Sequence, residues 1–194
     1  MNYLAHAYLS FNDPGILVGN MISDFVKGKQ KDDYPENIRK GIMLHRSIDA
    51  FTDAHPATSK AKQFFRPVYR LYAGAFVDIV YDHFLSCDEL IFSENKLSGF
   101  SQKTYQILDT YIDVLPTRFA AMLPYMKKHD WLFNYRYAWG IENSFRGLTH
   151  RAQYMDDSKP AFETFEKNYA ALKECYAEFM PDITRYAKAQ WLSS

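Results

Sequence analysis

Residues 35–51 read PENIRKGIMLHRSIDAF. Asp33, Pro35 and Glu36 resemble the capping box that opens many helices. After that start, nonpolar side chains recur every three or four residues, which is the spacing of one face of an α-helix. That face consists of Ile38, Ile42, His45, Ile48 and Phe51. The stretch therefore predicts a long amphipathic helix that ends before Pro56.

The rest of the chain repeats this helical spacing, and strand-like alternation is almost absent. Further helices are predicted over residues 2–10, 14–26, 59–66, 68–85, 102–115, 118–127, 134–149 and 158–179, with a final turn to residue 191. Residues 29–33 are predicted to form a loop after Gly28, and residues 88–99 to be irregular. Pro67 and Pro181 are expected to interrupt their helices. No repeat or linker divides the sequence, so we expect an all-α bundle in one domain spanning residues 1–194.

The composition is that of a globular domain, with 47% hydrophobic and 24% charged residues. The 23 basic and 23 acidic residues cancel. This balance argues against a general nucleic-acid binder, which needs excess basic side chains to neutralise phosphates. No nonpolar run reaches the length of a membrane span, and no signal peptide is recognisable. Cys87 and Cys175 lack metal-site spacing, so free thiols in a reducing, cytoplasmic compartment are expected.

His45 and Asp49 are four residues apart in the predicted long helix, and they therefore share one of its faces. An imidazole and a carboxylate placed in this way can bind one divalent cation, or the carboxylate can orient the ring. Asp53 follows one turn later, close to the same face. The alternative interpretation is a surface ladder of ion pairs that includes Arg46.

Carboxylates also occur inside nonpolar segments, where burial is costly unless the charge is paired or bound to a metal. Asp24 stands among nonpolar neighbours near the end of the second helix, although it could instead point to water or bond to a loop. Asp78 and Asp82 are four residues apart in a segment that is nonpolar almost all round, and His83 adjoins Asp82. The alternative for this second group is a buried polar network that holds helices together.

Together these groups indicate a metal site. Imidazoles and carboxylates without thiolates suit Mn²⁺ or Mg²⁺, and also Fe²⁺ or Zn²⁺. The candidate ligands are Asp24, His45, Asp49, Asp78, Asp82 and His83. His6, in a short nonpolar helix, either turns towards this cluster or is a core residue.

Two cations could assist chemistry at such a site. Lys27 and Arg46 could stabilise negative charge that develops on phosphorus. The sequence contains no glycine-rich phosphate loop and no glycine-flanked nucleophilic serine. Metal-assisted hydrolysis, with Asp24, His45 and Asp49 as its central residues, is therefore the predicted chemistry.

Several dense motifs occur in order along the chain. They are MNYLAH at residues 1–6, GN at 19–20, DFVKG at 24–28, GI at 41–42, HRSID at 45–49, TD at 52–53, FR at 65–66 and DHFL at 82–85. Weaker similarity continues through YR at 135–136 and NYAAL at 168–172. In this order and at these separations, the motifs resemble the acyl carrier protein phosphodiesterase family over essentially the whole chain.

The resemblance implies a helical fold like that of the HD-type metal-dependent phosphohydrolases, of which this family looks like a divergent member. It implies hydrolysis of the phosphodiester between 4'-phosphopantetheine and a serine of acyl carrier protein, with Mn²⁺ as the favoured metal. Asp82-His83 stands in the reverse order of the usual His-Asp pair.

Acyl carrier proteins are small and acidic, so the resemblance also implies a basic docking surface. Lys60, Lys62, Arg66 and Arg70 have nearly helical spacing and alternate with aromatic residues. This pattern suits an acidic helical partner, although it also suits an ordinary solvated face. Two other functions stay open: a phosphohydrolase for a nucleotide or another small phosphodiester, and a non-catalytic helical protein that binds acyl carrier protein.

Overall fold

A computed structural model describes residues 1–151 and 157–193 of the chain. In these two ranges the chain forms eleven α-helices and no β-strand, which confirms the predicted all-α class. The helices are α1 (Tyr3–Tyr8), α2 (Pro14–Ile22), α3 (Glu36–Ala54), α4 (Pro56–Tyr69), α5 (Ala73–Ser86), α6 (Glu94–Thr110), α7 (Thr117–Lys128), α8 (Trp131–Asn134), α9 (Ala138–Arg151), α10 (Lys159–Lys167) and α11 (Tyr169–Ser193).

The buried nonpolar residues of the described chain form one connected core that takes side chains from α1 through α11. Helix α3 packs against α2 and α11, and α5 packs against α1, α4 and α9. The predicted face of α3 is the one that is buried, and it includes Ile38, Ile42 and Ile48. The extent of the domain, residues 1–194, stays a prediction. Within the described ranges, no helix is both long enough and nonpolar enough to cross a membrane.

Helices α2 and α3 approach each other more closely than side chains would allow. A Cβ atom added at Gly19 would lie 2.0 Å from the carbonyl oxygen of Ile38. A Cβ atom added at Gly41 would lie 2.3 Å from the carbonyl oxygen of Ile16 and 2.9 Å from the Cα atom of Gly19. The two glycines therefore let the helix backbones touch, and this contact sets the spacing between everything that α2 and α3 carry.

The second helix was predicted too long. Helix α2 ends at Ile22, and Ser23–Phe25 continue as a 3₁₀ turn. Asp24 lies on this turn with an exposed side chain, which agrees with the alternative interpretation that it points to water rather than into the nonpolar interior. Tightening of the last turn moves the carboxylate off the buried side of the helix.

Two further segments are more helical than predicted, and two prolines that were expected to interrupt helices do not. Residues 29–33, predicted to be a loop, lie in a 3₁₀ helix that spans Gly28–Asp33, and α6 begins at Glu94, inside the stretch predicted to be irregular. Pro67 and Pro181 lie within α4 and α11 and end neither helix. Packing of the buried faces maintains these helices despite the hydrogen bond that each proline removes. The chain turns instead after α4, at Arg70, whose φ of 45° is left-handed.

Candidate metal centre

The site is built on two stacked imidazoles. His6 comes from α1 and His45 from α3, and both are buried. Their ring centroids are 3.8 Å apart and their planes are inclined by 12°. Both Nε2 atoms face the same carboxylate, that of Asp49.

Asn20, on α2, holds the Nδ1 atom of each ring. Its side-chain oxygen lies 2.7 Å from Nδ1 of His6, and its backbone oxygen lies 2.7 Å from Nδ1 of His45. The Asn20 amide nitrogen donates to the carbonyl oxygen of His6 and to the hydroxyl of Ser10. Its side-chain oxygen is therefore an acceptor. Both Nδ1 atoms must then donate, which leaves a lone pair on each Nε2 when the rings are neutral.

Two carboxylates face these Nε2 atoms. Asp49 lies 3.0 Å from Nε2 of His45 through one oxygen, and 3.3 Å from Nε2 of His6 through the other. Asp24 lies 3.3 Å from Nε2 of His45. The predicted i, i+4 pair of His45 and Asp49 is thus in contact, and the 3₁₀ turn after α2 brings Asp24 to it.

The Nε2 atoms themselves have no hydrogen bond among the described residues, although they are fully buried. A buried polar atom without a partner is costly. The close carboxylate oxygens are acceptors as well, so two acceptors face each other unless a proton or a metal ion lies between them. The arrangement has the form of a histidine ligand whose second nitrogen is fixed by an outer hydrogen bond.

The pKa values of the two imidazoles are shifted in opposite directions. Burial and the neighbouring His45 lower the pKa of His6 to about 4, so its Nε2 lone pair is available at neutral pH. Burial alone would lower the pKa of His45 too, but Asp24 and Asp49 outweigh that effect and raise it to about 9. Burial would raise the pKa of Asp49, but the two histidines and the Met1 ammonium hold it well below its usual range.

The α-ammonium of Met1 is a further charge at the site. It is buried and lies 3.2 Å from Asp49 and 3.1 Å from Asp78. Burial alone would lower its pKa, but the two carboxylates raise it to about 10. Asp78 therefore contacts this ammonium, which in turn contacts Asp49.

His6, His45 and Asp49 form a group compatible with a metal ion, since each offers one ligand atom and these atoms lie within 4.8 Å of one another. Three protein ligands with nitrogen and oxygen donors leave coordination positions for water or substrate. Among the alternatives left open for His6, the structure places it in this cluster.

The remaining predicted ligands are placed elsewhere. The buried Asp82 carboxylate accepts the backbone N–H groups of Leu4, at 2.7 Å, and Ala5, at 3.1 Å, in the first turn of α1. Burial raises the pKa of Asp82 to about 7. His83 lies between the carbonyl oxygen of Tyr135, at 2.8 Å, and the hydroxyl of Tyr169, at 3.1 Å. Both residues thus belong to a hydrogen-bond network between helices, which was the alternative interpretation of this segment.

The two predicted catalytic cations belong to the chain segments that also carry His45 and Asp24. The Arg46 guanidinium, one residue beyond His45, donates to the carbonyl oxygen of Val26 at 3.0 Å. Lys27 follows Val26 and has an exposed side chain. The hydrogen bond therefore ties Arg46 to the segment that carries Asp24 and Lys27.

Of the basic residues predicted for partner binding, Lys62, Arg66 and Arg70 recur every four residues on one side of α4 and at its end, which we call the α4 corner, whereas Lys60 faces α11. Lys62 forms an ion pair with Asp53 at 2.6 Å, and Lys60 pairs with Glu178 at 3.0 Å. Arg66 and Arg70 are exposed. Leu71, on the 3₁₀ turn that follows α4, is 99% exposed. The corner thus combines positive charge with an uncovered nonpolar side chain.

Sequence reasoning assigned no role to Asn20 or to the Met1 ammonium. An asparagine inside the nonpolar helix α2 was a usable signal, because a buried amide must find hydrogen-bond partners. Nothing in the sequence pattern shows where the ammonium lies. Its position depends on how α1 packs against α3 and α5.

Comparisons with known proteins agree with the motifs. The family model described as "Acyl carrier protein phosphodiesterase" matches residues 1–183. A protein of that name from Enterobacter sp. (strain 638) is 32% identical over 193 residues, which cover 99% of this chain and 100% of the relative. The protein of the same name from Yersinia pestis is 30% identical over 190 residues, 97% of this chain and 98% of the relative. No solved structure matches the chain, so the likeness to the HD-type fold stays a prediction.

Proposed function

The chain belongs to the acyl carrier protein phosphodiesterase family, and we propose that it hydrolyses the phosphodiester that joins 4'-phosphopantetheine to a serine of acyl carrier protein. The products are apo-acyl carrier protein and free 4'-phosphopantetheine. The substrate rests on the names of the relatives, and the reaction class rests on the site.

The observation that carries the reaction class is the pair of buried Nε2 atoms that face Asp49 and have no hydrogen bond among the described residues. We propose His6, His45 and Asp49 as the ligands of a divalent ion, with Asp24 completing the set. Nitrogen and carboxylate ligands suit Mn²⁺, our first choice, and they also accept Mg²⁺, Fe²⁺ or Zn²⁺. When bound, such an ion polarises a phosphoryl oxygen and lowers the pKa of a water molecule.

The chain's own residues supply the rest of the reaction. One oxygen of Asp24 faces Nε2 of His45, and the other oxygen of this exposed carboxylate is placed to accept a proton from the attacking water. The water oxygen forms a bond to phosphorus, the bond from phosphorus to the serine oxygen breaks, and the accepted proton passes to that oxygen. Arg46 and Lys27 balance the negative charge that develops on the phosphoryl oxygens.

The proposed ligand set is smaller than the sequence suggested. Asp82 caps α1, His83 joins α5 to Tyr135 and Tyr169, and Asp78 holds the Met1 ammonium. We assign Asp82 and Asp78 to positioning α1, and with it His6, and we assign His83 to the packing of α5, rather than to the ion.

The α4 corner is our proposed contact for the carrier protein. Lys62 pairs with Asp53, one helical turn beyond Asp49, so the basic surface begins next to the metal centre. Exposed Arg66 and Arg70 extend this positive charge, and Leu71 offers a nonpolar contact. An acidic helix that bears the modified serine could therefore dock here with its phosphodiester near Asp49. The unpaired thiols of Cys87 and Cys175 agree with a cytoplasmic location, which we propose with this substrate.

The test follows the mass of holo-acyl carrier protein incubated with purified enzyme and Mn²⁺, with and without EDTA. Loss of the 4'-phosphopantetheine mass that EDTA prevents is the expected result. Binding without cleavage would instead favour a non-catalytic partner protein. If the mass of the carrier is unchanged and nucleotide phosphodiesters are hydrolysed, the substrate is a small molecule.

A further inference from the structure

A cavity of about 710 Å³ opens between α1, α5, α7 and α9. This volume lies within the range of ligand-binding pockets, which is roughly 300–1,000 Å³. Nothing in the proposed chemistry uses it, because His6, His45, Asp24 and Asp49 are absent from its lining.

The lining of the cavity includes chain neighbours of the metal centre. Two of its lining residues, Asn2 and Ile79, each follow a residue of the charge cluster, namely Met1 and Asp78. Tyr3 also lines it and is three residues before His6, so both side chains lie on the same side of α1. These three residues therefore connect the cavity lining to the site along α1 and α5.

A second cavity in the described part of the chain, of about 800 Å³, is placed differently. Its contribution from α1 is Tyr8. Tyr8 is two residues from His6, and a two-residue step turns about 200° round a helix, so Tyr8 points away from the metal centre. Only the first cavity therefore meets the site through α1.

The lining of the first cavity mixes flat nonpolar surfaces with hydrogen-bonding groups. Trp131 and Trp139 supply indole rings, and Met122 supplies a thioether. Asn143, Ser144 and Arg146 lie on α9 and supply amide, hydroxyl and guanidinium groups. Such a lining suits an uncharged, flexible chain in which methylene groups alternate with amides.

We propose that this cavity binds the pantetheine arm of the substrate, which carries methyl groups, a hydroxyl and two amides along a narrow chain. The proposal rests on the proposed function, since the arm's phosphate must lie at the metal centre. It places the arm past Asn2, Tyr3 and Ile79, between α7 and α9. The enzyme then recognises the prosthetic group separately from the carrier protein, which docks at the α4 corner.

Two substitutions fill the cavity from opposite walls. Among the described residues, no atom lies within 4 Å of a Cβ added at Gly147, on α9, so Gly147→Phe introduces a ring without a clash with their backbone. Ala121→Phe introduces a ring from α7, and this variant is used in the test if Gly147→Phe fails to fold. Gly99→Phe is the matched control, because Gly99 is an exposed residue of α6, outside this lining, with equally open surroundings among the described residues.

The measurement is a titration of tryptophan fluorescence with free pantetheine in EDTA, using the full chain. Two of the three tryptophans line the cavity. We expect saturable binding by the Gly99→Phe variant and binding weakened on the order of tenfold or more by either cavity variant, with a matching rise in KM for holo-acyl carrier protein. Equal pantetheine binding by all three variants, or binding of adenosine instead of pantetheine, overturns the proposal.

These outcomes separate the cavity from the reaction. Pantetheine carries no phosphate and EDTA removes metal, so the titration does not depend on hydrolysis. If the cavity variants cleave holo-acyl carrier protein as the wild type does, the cavity proposal is refuted and the proposed function stands. If the protein binds pantetheine, the cavity variants abolish that binding, and the protein does not cleave the carrier, the cavity proposal is supported and the proposed function is refuted.

Discussion

The imidazoles of His6 and His45 stack 3.8 Å apart although they come from different helices. Two imidazoles this close cannot both be cationic without strong repulsion. Burial and the neighbouring His45 lower the pKa of His6, whereas Asp24 and Asp49 raise that of His45 against the effect of burial. Asn20 fixes the Nδ1 atom of each ring. The pair therefore presents its two Nε2 atoms to Asp49 as a single unit.

Replacing Asn20 should weaken metal binding without touching a ligand. In Asn20→Ala, His6 loses the acceptor for its Nδ1–H group, so the ring is free to turn. We expect Mn²⁺ affinity, measured by isothermal titration calorimetry, to fall roughly 10–100-fold. Ser10→Ala removes a neighbouring hydrogen bond of Asn20 but none of either imidazole, so it should bind Mn²⁺ more nearly as the wild type does. Equal affinity in Asn20→Ala and wild type would refute the positioning role.

Asp49 and Asp53 offer a matched pair one helical turn apart on α3. Asp49→Asn removes the charge that faces both Nε2 atoms and should abolish Mn²⁺ binding together with Mn²⁺-dependent turnover. Asp53→Asn breaks only an ion pair with Lys62 and should leave Mn²⁺ affinity unchanged. Calorimetry on both variants checks this, and similar losses in the two would mean that Asp49 acts only through general charge.

Gly41 should be intolerant of even a methyl group. In Gly41→Ala the new Cβ meets the Ile16 carbonyl oxygen at 2.3 Å, so α2 and α3 must separate. We expect the free energy of unfolding to fall by about 1–3 kcal/mol. Gly99→Ala on exposed α6 meets nothing within 4 Å and should gain up to about 1 kcal/mol from helix propensity. Urea unfolding of both variants measures the contrast, and a stable Gly41→Ala protein would contradict it.

His83 should make the fold sensitive to acid. Burial lowers the pKa of His83 below its usual 6.5. As the pH falls below 6.5, the unfolded chain therefore takes up a proton at this residue that the folded chain does not, and the free energy of unfolding declines. His83→Asn keeps a donor for the Tyr135 carbonyl oxygen but does not titrate. Urea unfolding at a series of pH values from about 7 to about 5 measures this effect. The free energy of unfolding should decline less steeply in the variant than in the wild type. An equal decline would mean that other groups cause the acid sensitivity.

Charge reversal at the α4 corner should weaken capture of the carrier protein. Arg66→Glu combined with Arg70→Glu places two acids where an acidic partner docks, and we expect KM for holo-acyl carrier protein to rise about tenfold at low salt. The matched control is Lys96→Glu with Lys103→Glu on exposed α6. Added salt should reduce the difference between the two double variants because it screens exposed charges. An equal KM in both would exclude the corner as the docking surface.

The sequence predicted the helical class and the central pair of the site because both depend on local spacing. His45 and Asp49 are four residues apart, so forming α3 is enough to bring them together. His6 and Asn20 reach the pair only through the packing of α1 and α2, which local spacing does not determine. Asp82 and His83 were misleading because a buried aspartate or histidine satisfied by hydrogen bonds has the same sequence pattern as a metal ligand.

The glycine contact between α2 and α3 also offers a criterion for tracing this site in other genomes. Gly19 immediately precedes Asn20, and Gly41 stands one helical turn before His45, so each glycine is locked in register with a residue of the site. A homologue that keeps the histidines and aspartates but bears a larger residue at either glycine would hold them on helices that stand too far apart. The pattern to search for is therefore Gly-Asn-x₃-Asp followed by Gly-x₃-His-x₃-Asp. Homologues with larger residues at its glycines are expected to lack the metal centre.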